Sequence, residues 1–136
     1  MNNAYTQYKN QSLATMAQGE LLVKVFDELI KQCRLAEIAL EEGSKGAEHD
    51  CLVKAQTILS TLADALDERI ELSAELRNLY IFFAHELRDA NLKKDIKKIH
   101  GIVPLIKDLR NSFEQADKLS RSTKQKAPIG VGGQAI

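Results

Sequence analysis

A chain of 136 residues is enough for one domain that buries roughly two thirds of its unfolded surface, so folding needs neither a metal nor a disulfide. Lys plus Arg equals Asp plus Glu, 19 each, and that balance argues against nucleic acid or an anionic membrane surface as a partner. The two cysteines, Cys33 and Cys51, form no CxxC pair, and the longest apolar run, Leu79 to Ala84, falls far short of the ~20 residues of a membrane span.

The start, Met1 to Ser12, lacks the apolar h-region of a secretory signal, so the protein is expected in the cytoplasm without membrane insertion. Residues 1–16 are polar, with isolated apolar points at Tyr5, Tyr8, Leu13 and Met16, and read as an extended arm. From Gly19 a helical period sets in: Leu22, Val25, Leu29, Cys33, Ala36 and Leu40 recur at steps of three and four. Gly43 stops that helix, with Gly46 close behind.

A second helix is expected over 47–67, with Leu52, Ala55, Leu59, Leu62 and Leu66 inward. After a turn at 68–71, a third carries Leu72, Leu76, Leu79, Tyr80, Phe83, Leu87 and Ala90 on its core face, with Asn91 as its left-handed stop. The fourth begins near Lys93 or Asp95 and carries Ile96, Ile99, Val103, Ile106, Leu109 and Phe113. Gly101 and Pro104 interrupt it and predict a kink, because proline cannot donate to the carbonyl of residue 100. Residues 121–136, rich in Ser, Lys, Gly and Gln, read as a flexible tail. Short connections favour antiparallel neighbours. The expected fold is therefore all-α: an antiparallel up-down four-helix bundle over 17–120 between an N-terminal arm (1–16) and the tail.

Two of these helices hold more apolar surface than a core needs. Phe82 lies about a quarter-turn from the centre of the third helix's stripe, and Ile81 points away from it. The fourth helix's arc, from Leu105 through Ile106 and Val103 to Ile96, spans nearly half its circumference. Helix 1 is also broad, with Val23, Phe26 and Ile30 on one flank and Leu21 and Leu35 on the other; there the surplus is as well explained by a wide core. For Ile81, Phe82 and the fourth helix, a groove for an incoming amphipathic helix is the preferred reading.

The chemistry-bearing residues form no convergent set. Glu48-His49-Asp50-Cys51 points in successive directions on a helix and cannot close on one metal. His100 reads as a surface residue, and the Lys93, Lys94, Lys97, Lys98 cluster as a solvated face moderated by Asp95. Ala84-His85-Glu86-Leu87-Arg88 resembles the start of the histidine phosphotransfer signature, giving an alternative function through His85. There, however, Asp89 stands where that signature has glycine, and a carboxylate repels a phosphoryl group. No Gly-rich phosphate loop, Ser/His/Asp set or ExxH pair occurs. The expectation is no enzyme, no catalytic residue, no metal and no cofactor.

Asn3-Ala4-Tyr5-x-x-Tyr8, followed by Leu21-Leu22 and Phe26-Asp27, resembles the opening of the flagellin-specific export chaperones, the FliS family. Lys54-Ala55-Gln56-x-Ile58, then Leu62 and Leu66-Asp67, is similar to that family's second helix. Leu79-Tyr80, Leu87-x-x-Ala90-Asn91-x-x-x-Asp95 and Leu109-Arg110-Asn111-Ser112-Phe113 continue the likeness through residue 115. The chain departs from the pattern at Ala17-Gln18, in place of Ser-Pro, and at Phe113, in place of Trp. It also lacks the Gly-Gly between helices 2 and 3 and carries the unusual Gly101 and Pro104.

The resemblance implies a chaperone that binds the disordered C-terminal segment of flagellin, prevents its premature polymerisation and aids delivery to a flagellar export gate component. It also implies an arm, with Tyr5, that covers the groove, and no use of ATP. The expected partner-binding residues are Tyr5, Tyr8, Ile58, Leu62, Ile81, Phe82, Ile102, Leu105 and Ile106. A homodimer through the same surface is an expected form of the client-free protein.

Overall fold

The computed structural model describes residues 18–44 and 46–135, with side-chain surroundings between 19 and 122. The arm, with Tyr5 and Tyr8, lies outside the described residues. Four helices occupy the rest: α1 (Gln18–Glu42), α2 (Ala47–Asp64), α3 (Leu72–Lys93) and α4 (Ile96–Ala135). Among the described residues there is no strand.

The expected stop after α1 is present in detail. Gly43 adopts φ +71, and the amides of Gly43 and Ser44 reach back to the carbonyls of Leu40 and Ala39 at 3.4 and 2.9 Å, which satisfies two orphan acceptors of the last turn. Gly46, at φ +91, then turns the chain into α2. The stop of α3 differs from expectation. Lys94, not Asn91, takes the left-handed conformation, φ 52 and ψ 43, and the amides of Lys94 and Asp95 both reach the Ala90 carbonyl. Asn91 is held elsewhere: its side-chain amide meets His49 Nδ1 at 2.9 Å and its oxygen accepts from Lys94 Nζ at 2.9 Å. Lys94 Nζ also reaches Glu48 at 2.8 Å and, as a hydrogen-bond donor, holds that carboxyl below its ordinary range. A non-glycine residue in this conformation is disfavoured by roughly 1–2 kcal/mol, and these two contacts offset part of that.

α2 ends at Asp64, three residues earlier than its period suggested. The connection is closed by Asp67, whose side chain accepts from the Arg69 amide at 3.0 Å and whose carbonyl accepts the Ser73 hydroxyl at 2.6 Å. Ser73 is buried by this bond, whereas Leu72 at the same helix start is exposed.

Two compact units divide the chain: Val25–Asp108, and a second drawn from Met1–Lys24 with Leu109–Ile136. Parts of all four helices meet in the first. Its core is Phe26, Leu29, Cys33, Ala36 and Ala39 from α1, Leu52, Ala55, Leu59 and Leu62 from α2, Tyr80, Phe83, Leu87 and Ala90 from α3, and Ile99, Ile102, Val103 and Ile106 from α4. Burying each of the larger side chains stabilises by about 1.5–3 kcal/mol. Pairings between helices give the topology. The start of α2 meets the end of α3 through His49 and Asn91, and the end of α3 meets the start of α4 through Asp89 and Lys98 at 3.2 Å. The end of α1 meets the start of α4 through Glu37 and His100 at 2.5 Å. The early turns of α1 and α3 meet through Phe26 and Tyr80, ring centroids 6.3 Å apart. That is the antiparallel up-down order expected.

Within the second unit, Arg121 pairs with Asp117 at 2.9 Å and with Glu20 at 3.5 Å. Gly19 packs so close to the Asp117 side chain that a Cβ there would collide with it.

α4 corrects one expectation outright. Gly101 and Pro104 do not interrupt it; the helix is continuous through both and extends to Ala135. Both residues are exposed, so the amide that proline lacks lies on the solvent side of the helix and not in the core. Among the residues whose surroundings are described, none after Ile106 is buried, and Leu119 is exposed.

Candidate functional site

Two neighbours on α3 have opposite fates. Phe83 is fully buried, while Phe82, one position before it, turns about 100° away and is 47% exposed, the two rings standing 5.9 Å apart. Ile81 is 57% exposed on the far side. On α4, Leu105 is 47% exposed, and Ile102 lies one turn before it. Between these helices runs a depression of about 370 Å³: Phe82 and Glu86 form its α3 side, and Lys97, Lys98, Gly101, Ile102 and Leu105 its α4 side.

Gly101 supplies no side chain at the centre of that wall, and nothing lies within 4 Å of where a Cβ would sit. The depression is therefore open between a charged end (Glu86, Asp95, Lys97, Lys98) and an apolar end (Phe82, Leu105). Lys98 is held in place by Asp89 at 3.2 Å and Glu86 at 3.5 Å. Donation from Lys98 and Lys93 holds the Asp89 carboxyl below its ordinary range, and Asp89 in turn raises Lys98. Asp95 accepts the Lys97 amide at 3.0 Å, capping the start of α4.

The expected partner-binding residues separate into two groups. Ile81, Phe82 and Leu105 are exposed as expected. Leu62 and Ile106 are core residues with almost no free surface: both fall on the inward stripe of their helices, so neither projects into a groove. Ile102 is only 3% exposed, so it floors the depression rather than projecting from it. Ile58 is half-buried in a separate depression of about 310 Å³ between α1 and α2, with Glu28, Gln32 and Val53.

Leu72 and Leu79, expected in the core, are exposed instead, and Leu76 is only half-buried. The true inward line of α3 passes through Ser73, Tyr80, Phe83, Leu87 and Ala90, so Leu79 falls on the same flank as Phe82 and widens the apolar surface there.

His85 is exposed, 3.7 Å from Glu86, and Asp89 follows one turn later. His100, read from the sequence as a surface residue, ties α4 to α1 through Glu37, itself buried and paired with Arg34 at 3.0 Å. Among the described residues no group of three His, Cys, Asp or Glu side chains is arranged to hold a metal, and no helix is long and apolar enough to cross a membrane.

The model of the family described as "Flagellar protein FliS" matches residues 1–120. The flagellar secretion chaperone FliS of Bacillus subtilis is 31% identical over 133 residues, which cover 98% of this chain and 97% of that protein. Its Salmonella typhimurium and Escherichia coli counterparts are 28% and 25% identical, over 82% and 83% of this chain and 86% of each relative.

Proposed function

We propose that this chain, which belongs to the FliS family of flagellar proteins, is a cytoplasmic chaperone that receives the unfolded C-terminal region of flagellin in the groove between α3 and α4. The family places the chain in flagellar secretion as a chaperone. The client and the site rest on one observation: Phe82 and Leu105 stand half exposed on either side of an open apolar depression with Ile102 as its floor.

Exposed contiguous apolar surface is costly in water, and a groove between helices suits an amphipathic helix anchored at steps of three and four. A disordered segment loses chain entropy when it folds there and regains free energy by burying its anchors beside Phe82 and Leu105. While it is held, the segment is withheld from polymerisation, and release at the export gate frees it. His85 has no part in this reading: among the described residues the one partner beside it is the carboxylate of Glu86, 3.7 Å away, which disfavours an anion there.

Titration with a flagellin C-terminal peptide tests the proposal. Phe82→Asp should abolish binding while the helical circular dichroism signal is retained, and Leu105→Asp, one wall away, should weaken it by at least about tenfold, the equivalent of one lost anchor. Wild-type affinity in both folded variants would place the client elsewhere.

A further inference from the structure

Lys97 differs from the lysines around it. Lys93 pairs with Asp89, Lys94 with Glu48, and Lys98 with both Glu86 and Asp89. Asp95, the remaining carboxylate at this end of the groove, is turned to the Lys97 backbone amide. Among the described residues, the Lys97 ammonium thus has no carboxylate partner, although its side chain lines the groove. It also stands in the first turn of α4, which contains no acidic residue, and there the helix dipole makes a cation unfavourable. An unpaired cation in an unfavourable place at the rim of a binding groove is a position that an incoming anion improves.

Spacing turns this into a pattern. Lys97, Gly101 and Leu105 follow one another at four-residue steps along one face of α4, and Gly101 leaves the ground between the other two bare. At 1.5 Å per residue, Lys97 and Leu105 are about 12 Å apart along the helix axis.

We infer that the groove selects a client helix by charge as well as by shape: an apolar anchor seated against Phe82 and Leu105, and an Asp or Glu about two turns away on the same face, paired with Lys97. This deepens the flagellin reading and rests on it, by assigning Lys97 the recognition of a client carboxylate.

The experiment compares wild type with Lys97→Gln, Lys97→Glu and Phe82→Asp, using a flagellin C-terminal peptide and its counterpart with every Asp and Glu replaced by Asn and Gln. At low ionic strength Lys97→Gln should weaken binding by about twofold to fivefold, as for a rim ion pair, and Lys97→Glu by about tenfold. Both losses should shrink at high salt and vanish with the amide peptide. If Lys97→Glu matches wild type in affinity and in salt dependence while Phe82→Asp fails to bind, the carboxylate recognition is wrong and the groove stands. If wild type binds neither peptide, or Phe82→Asp binds both normally, the flagellin reading in this groove fails and the role of Lys97 with it.

Discussion

The two cysteines show how differently one residue type behaves in two environments of the same protein. Cys33 is fully buried, and desolvation, reinforced by the neighbouring Glu37 charge, pushes its thiol up to about 12. Only a thiolate is nucleophilic, so Cys33 acts as a small apolar side chain. Cys51 is partly exposed. A disulfide reagent at pH 8 should therefore label one equivalent per native chain, at Cys51, and reach Cys33 only on unfolding. Fast labelling of two equivalents would show that the core opens readily.

Glu37 poses the opposite problem, a carboxylate in the interior. Arg34 covers one oxygen, and His100 Nδ1 stands 2.5 Å from the other. Removing a partner from a buried charge is worse than removing the whole pair, because the remaining group keeps its desolvation cost. His100→Ala should thus destabilise by about 1–3 kcal/mol in urea unfolding, while adding Glu37→Leu should restore much of the loss. A double variant as unstable as the sum of the two single ones would refute the burial argument.

At the scale of elements, periodicity told a helix from a loop more reliably than one face of a helix from another. α1, α2 and the glycines between them were legible because Gly43 and Gly46 carry backbone conformations that other residues rarely take. The inward line of α3 differs by a fraction of a turn from the expected one: Tyr80, Phe83, Leu87 and Ala90 are buried as read, but Leu72 and Leu79 are exposed and Ser73, less apolar than either, is buried. Sequence alone could not show that Ser73 would have a carbonyl to satisfy, 2.6 Å away at Asp67. The period showed Phe82 and Leu105 as surplus and Leu62 and Ile106 as inward, and the burial of each agrees with that phase. Lys97 and the Glu37–His100 tie had no sequence signal at all, because both depend on which partners other helices bring.

α4 is where element and site conflict. Gly101 lies in mid-helix with open space around its missing Cβ, and glycine there costs about 0.5–1 kcal/mol relative to alanine. Gly101→Ala should accordingly raise stability by about that amount, read as a higher urea midpoint at unchanged slope. A residue that weakens its own helix while lining a groove trades stability for space, so the same variant should bind the flagellin peptide somewhat less tightly. No gain in stability would mean that the helix is already distorted at this point.

For the molecule as a whole, the proposed function turns on the apolar surface that Phe82, Leu105 and their neighbours leave exposed. If a disordered flagellin segment folds as it binds, the complex removes both faces of the contact from water, and the thermodynamic mark of that removal is a fall in heat capacity. A segment burying 1,000–3,000 Å², about as apolar as ordinary surface, should give a change on the order of −0.2 to −0.5 kcal/mol/K, measured as the slope of the calorimetric enthalpy against temperature. Binding should be accompanied by new helical signal from the peptide, since the backbone of an unpaired chain cannot enter an apolar groove without satisfying its own amides. Docking carried by charge alone, through the lysines at the start of α4, would behave otherwise: a slope near zero, no gain in helix and loss of the complex at high salt. The two outcomes are separable in a single titration series, and only the first is compatible with a groove whose walls are Phe82 and Leu105.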